Sequence, residues 1–348
     1  MLGAVSKIEA SPSILDRVMV VVVEPYSRGV GTHTIVQAAT AEAGEGLMSK
    51  SIDRTLGRDD LIASAYTLSG APVFAPPRFP FAERVAAAAR AGFAGIGLAI
   101  EDYATCREHG MSDAEMRRIL DDHRIRVAEL EFLQDWWDDD ERGRRARANE
   151  DVCYAAADAL GSRHINVGSA GPCGTLPAFE IVVDRFAALC DRAARHGLLV
   201  AFEFLPWSDV PDAATAGRLV SLADRDNGGI LIDTWHYFRG AADPTQVRSI
   251  PADRFFLIQF DDADAVQVGS YMEDTTQRRR LPGQGSFDLM GFIEMLDEIG
   301  VNAPVSVEIL SDEQRSRTLD EAARLAHDTS RAVFELVRGP RKNAGATG

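Results

Sequence analysis

Glu203, Asp233, Gln259 and Glu308 each stand where a short apolar run gives out, in LLVAFEFLP, GGILIDTWH, FFLIQFDDA and APVSVEIL. One such residue alone is ordinarily a solvated loop residue. Four in succession, three of them carboxylates, form a pattern. Oxygen donors brought together from neighbouring strands suit a hard divalent cation, with Mg²⁺ or Mn²⁺ favoured. A buried carboxylate needs a partner, because leaving it uncompensated is costly. The alternative to a metal is pairing with arginine. The runs themselves carry no basic residue, and only Arg239 and Arg278, Arg279 and Arg280 follow, all in loops.

The surrounding sequence alternates strand and helix from residue 60 onward. LIASAYTLSG, GIGLAIE, VAELEFLQ, HINVGSAG, LLVAFEFL, GILIDTW, FFLIQF and VSVEIL read as eight strands. Helical patterns separate them: FPFAERVAAAARAGF, MSDAEMRRILDDHRI with Ser112 and Glu115 at capping-box spacing, residues 150–160, 179–196 closed by Gly197, 213–224, 289–299 and 319–337. Eight strand–helix units predict an α/β fold, a (β/α)8 TIM barrel with an extra N-terminal segment, whose chemistry sits at the carboxyl ends of the strands. An open doubly wound sheet is the competing architecture. It would call for a glycine-rich turn after strand one, and SGAPVFAPPRFP carries no GxGxxG.

The 348 residues are 46% hydrophobic, enough for a large core. Lys plus Arg number 37 against 53 Asp plus Glu, a formal charge of -16, which disfavours nucleic acid and anionic membrane as partners. The run VMVVVV is far shorter than the ~20 residues that span a bilayer. Four scattered cysteines with no CxxC spacing point to reduced thiols in a cytoplasmic protein. Residues 1–58 fall outside the strand–helix rhythm and read as an irregular extension or a subunit-contact arm. A product starting near Met48 is expected to fold by itself. The barrel is assigned to 59–337, and 338–348 to a disordered tail.

FEFLP, LIDTWH, QFDD and SVEIL together resemble the xylose isomerase-like barrel superfamily of sugar isomerases, epimerases and inosose or dehydroshikimate dehydratases. The likeness covers about residues 60–335. It implies one divalent metal held by Glu203, Asp233, Gln259 and Glu308, the third position more often being His in that group. It also implies substrate contact by His236, three residues after Asp233, and by an arginine of RRRLPGQG, assigned to Arg280 as the one nearest the turn. Trp207 is read as an apolar wall, with Trp235, and either could instead be a core aromatic. Glu129 and Glu131 alternate sides with Leu130 on strand three; either one of them points toward the barrel mouth or both face a loop. Dehydratases of the group carry Glu-x-His and His-x-Lys where this chain has Leu205 and Asp261, which removes both expected proton carriers.

The implied activity is isomerisation or epimerisation of a small sugar or polyol. Glu203 and Glu308 would exchange a proton beside a metal-polarised carbonyl through an enediolate. A lyase expelling a β-hydroxyl from a cyclic keto-polyol is the alternative. A non-catalytic barrel is a third reading, and an endonuclease, which needs several histidines and metals, ranks below these. Homo-oligomers are common among such barrels.

Overall fold

A computed structural model describes residues 54–340. The expectations for residues 1–53 and 341–348, including most of the N-terminal arm, the Met48 start and most of the tail, lie outside the described residues. Eight parallel strands close into a barrel in chain order: β1 Leu61–Ala63, β2 Gly95–Ala99, β3 Arg126–Leu133, β4 His164–Gly168, β5 Leu199–Glu203, β6 Gly228–Asp233, β7 Phe255–Phe260 and β8 Val305–Val307. β1 pairs with β8, which leaves no open edge.

Period-two alternation sorts the strand residues. Val200 and Phe202, Ile230 and Ile232, Ile258 and Phe260, and Val305 and Val307 join the large core between strands and outer helices. Leu199, Ala201, Leu231 and Leu257 form a separate cluster with Phe256, the β7 residue at which the pairing with β6 shifts register. Glu203, Asp233 and Gln259 share the parity of Leu199, Ala201, Leu231 and Leu257, so strand geometry sends their side chains into the barrel. Register then sets them beside one another, with Asp233 opposite Gln259 and Gln259 opposite Ser306. Glu308, two residues past Ser306, keeps the inward direction.

The predicted strand in LIASAYTLSG is mostly helix. β1 stops at Ala63, and Ser64 caps a short helix, Ala65–Ser69, by accepting from Tyr66 N–H. GILIDTW likewise yields to a helix, Thr234–Arg239, whose N-cap is Asp233. The helix predicted over 150–160 begins earlier, at Glu141, where Asp140 accepts from the Arg142 and Gly143 amides. Ser112 accepts from Glu115 N–H as its spacing predicts.

Candidate metal centre

The strand ends converge on one nitrogen. Arg279 Nη1 donates to Asp233 Oδ2 at 2.7 Å, to Glu308 Oε2 at 3.0 Å and to Asp261 Oδ2. Carboxylates from the ends of β6 and β7 and from just past β8 therefore surround a single cation position. The rest of the guanidinium is held by Thr275: Nε donates to its carbonyl at 3.1 Å and Nη2 to its hydroxyl at 2.9 Å. The carboxylates overcome the effect of burial, which alone would lower the pKa, and Arg279 stays protonated. Burial pushes Asp261 and Glu308 well above the ordinary carboxyl range although Arg279 opposes it. Burial is the largest influence on Asp233 and would raise it, but Arg279 and His236 together, by charge and hydrogen bond, hold it below.

Arg280, the arginine assigned from sequence, lies elsewhere. It pairs with Asp264 at 3.1 Å and Glu313 at 3.5 Å on the surface. Residue parity explains the correction. Arg280 and Arg278 form antiparallel bridges with Asp262 and Ser311, so the intervening Arg279 points the opposite way, inward.

Gln259 is oriented by its neighbours. Its Nε2 donates to Glu308 Oε1 at 3.1 Å and lies 3.4 Å from Glu131 Oε2. Its Oε1 is buried with no hydrogen-bond partner. Glu131 in turn accepts from Ser64 Oγ at 3.0 Å and Ala65 N–H at 2.7 Å, and Ser64 Oγ is also 3.2 Å from Glu308 Oε1. Burial, reinforced by Glu129 and Glu308, raises the Glu131 pKa strongly. Both Glu129 and Glu131 face the barrel interior. Gly97 makes room for them, since a Cβ there would sit 2.7 Å from a carboxylate oxygen of each. Below them, Asn166 Nδ2 donates to Glu129 at 2.9 Å, and Ser306 Oγ donates to its other oxygen.

His236 is positioned by a helix cap. Its backbone N–H donates to Asp233 Oδ1 at 2.9 Å, which is why the two residues are three apart. Its Nε2 lies 3.2 Å from Glu203 Oε1, and its Nδ1 is buried without a partner. Burial raises the Glu203 pKa against the pull of His236. Trp207 packs its ring 5.3 Å from His236 and donates from Nε1 to Ala170 O at 3.0 Å. It also contacts Tyr271, which sequence reasoning missed, at 5.9 Å. Trp235 is fully buried behind it. Asp261 was noted only as a departure from a family pattern; its place two residues after Gln259, with the same parity, was the available signal.

Glu203, Asp233 and His236 offer donor atoms all within 4.8 Å of one another and can hold a metal ion. His236, read from sequence as a substrate contact, stands in this group, whereas Glu308, an expected ligand, lies outside it and bonds Arg279 and Gln259. The residues fit a divalent cation on two observations. Asp233, Asp261 and Glu308 share one guanidinium nitrogen while Glu203 has only His236 beside it, so four buried carboxyl groups gather with a single permanent positive charge among them. Gln259 also presents a buried carbonyl oxygen with nothing to bind.

Fold and site define a (β/α)8 barrel whose strand ends gather acidic oxygens around a cation position. The chain belongs to the xylose isomerase-like TIM barrel family, whose sequence profile matches residues 85–329. It is 28% identical to a 3-dehydroshikimate dehydratase of Pseudomonas aeruginosa over 236 residues, 66% of this chain and 36% of that protein. It is 30% identical to an inosose isomerase of Bacillus subtilis over 150 residues, 42% of this chain and 53% of that protein. The chain thus spans between a third and about half of the length of these relatives. A solved structure of IolI protein with a zinc atom bound superposes with TM-score 0.71 at 21% identity, covering 81% of this chain and all of that one. Among the described residues, no helix is long and apolar enough to cross a membrane.

Proposed function

We propose that this protein is a metal-dependent isomerase or epimerase acting on a small sugar or keto-polyol, with Glu203 and Glu308 as the proton-transferring pair. The observation that carries the reading is the cluster of Glu203, Asp233 and His236, whose donor atoms lie within 4.8 Å of one another; Arg279 Nη1 already bonds Asp233 and Glu308, so an ion held there must displace or share it. Glu203, Asp233, Gln259 and Glu308 would hold the cation, with Mg²⁺ or Mn²⁺ favoured because three donors are carboxylates and the fourth is an amide oxygen. A divalent ion there would supply Lewis-acid polarisation of a substrate carbonyl. Glu203 and Glu308 come from opposite ends of the β5–β8 arc, and burial raises both above the ordinary carboxyl value. His236 keeps Glu203 oriented through Nε2 and leaves Nδ1 for a substrate oxygen. Trp207 closes the site against water on that side.

The test is exchange of the substrate α-proton with deuterated solvent. Glu203→Gln and Glu308→Gln should each abolish it, and full exchange in either variant rejects the assignment. Dehydration of a cyclic keto-polyol is the second reading, favoured by the match to a dehydratase over 236 residues. An unsaturated product absorbs in the ultraviolet and an epimer does not, so one spectrum separates the two. A reduced, cytoplasmic setting accords with four unpaired cysteines.

A further inference from the structure

We infer that the site admits neutral keto-polyols and discriminates against substrates bearing a carboxylate or phosphate. The inference rests on the proposed function and specifies which substrates that chemistry can reach. Beyond the metal ion itself, an anionic group would draw on a cationic side chain. The sequence from 54 to 340 contains no lysine, so only arginine can serve there. Arg279 is the guanidinium buried at the strand ends; Asp233, Asp261 and Glu308 crowd its Nη1, Thr275 takes Nε and one hydrogen of Nη2, and its charge is already shared among three carboxyl groups. The other arginines around this end are also paired: Arg239 with Asp274 at 3.0 Å, Arg280 with Asp264, and Arg315 and Arg317 with Asp312 and Glu313. Arg78 and Arg278 are exposed, where an ion pair with a substrate would be weak.

Six buried carboxyl groups, Glu203, Asp233, Asp261, Glu308, Glu129 and Glu131, face this end of the barrel beside the one buried guanidinium. A carboxylate or phosphate would bring further acceptors and negative charge against them in a space shielded from water. The hydrogen-bond inventory agrees. Besides the carboxylates, and with Gln259 Oε1 given to the metal, His236 Nδ1 is buried and unpartnered. A ring of hydroxyls brings donors to such acceptors, whereas a carboxylate brings none.

The probes are an inosose, neutral, and 3-dehydroshikimate, a ring of the same size with a carboxylate, titrated into Mn²⁺-loaded protein by calorimetry. The inosose should bind, with 3-dehydroshikimate at least about tenfold weaker. Asp261→Asn removes one carboxylate outside the proposed ligand set and should narrow the gap. Equal or tighter binding of 3-dehydroshikimate overturns the inference, as does binding of neither compound. Charge discrimination without α-proton exchange in the bound inosose would instead reject the proposed function and leave the inference standing.

Discussion

Replacing Arg279 with methionine removes the guanidinium shared by Asp233, Asp261 and Glu308. Methionine keeps much of the volume and supplies no donor. Removing one partner of a buried ion pair costs about 3–5 kcal/mol, because the remaining charge stays buried. At about 2–4 °C per kcal/mol for a domain of this size, the melting temperature in chelator should fall by about 6–20 °C. The loss should be greater at pH 8 than at pH 5.5. Burial raises Asp261 and Glu308, so in the variant their neutral forms stabilise at low pH, and that help disappears as pH rises through their folded pKa values. Mn²⁺ should restore most of the loss, since Asp233 and Glu308 serve both the guanidinium and the proposed metal. Its affinity for the variant should exceed that for the parent by about tenfold or more, one charge fewer having to be displaced or repelled. Thermal unfolding with chelator and with Mn²⁺, together with an Mn²⁺ titration, checks this. An unchanged melting temperature in chelator, or a drop that Mn²⁺ leaves untouched, would refute the reasoning.

Two further outcomes are expected. Metal content separates the two donor sets: Glu308→Gln should lose the ion and His236→Gln should keep it, while Gln259→His should shift preference toward zinc in a mixed-metal competition. His164, fully buried on β4 with Nε2 3.9 Å from Glu129, is held by burial at a pKa of about 4 against 6.5 when exposed. Between those values the unfolded chain binds the extra proton, so stability falls as pH drops from 6.5 to 4, by on the order of 3 kcal/mol. Urea midpoints at pH 7 and pH 4.5 should converge in His164→Leu relative to the parent, and an identical pH slope in both proteins would rule the histidine out.

What the sequence determined is local and periodic. Short apolar runs such as LLVAFEFL, FFLIQF and VSVEIL identify the strands, and the oxygen donors stand where those runs give out. That placement assigns Glu203, Asp233, Gln259 and Glu308 to the mouth of a barrel. The boundaries of β7, Phe255–Phe260, and of the helix Leu289–Ile299 match the sequence reading residue for residue. Tertiary structure decided what those side chains meet. Arg279 and Asp233 are 46 residues apart, and choosing Arg279 over Arg280 turned on one position of register that only the bridges to Asp262 and Ser311 fix. β1 ends at Ala63, not in the tail of its apolar run, because Ser64 can cap a helix and at the same time donate to Glu131 from β3. The interior carboxylates Glu129 and Glu131 likewise became legible only on barrel closure, when Ser64, Gly97, Asn166 and Ser306 arrived from four other strands or strand ends to receive them. Parity is written in neighbouring residues, whereas charge pairing depends on which distant strands the closed sheet sets side by side.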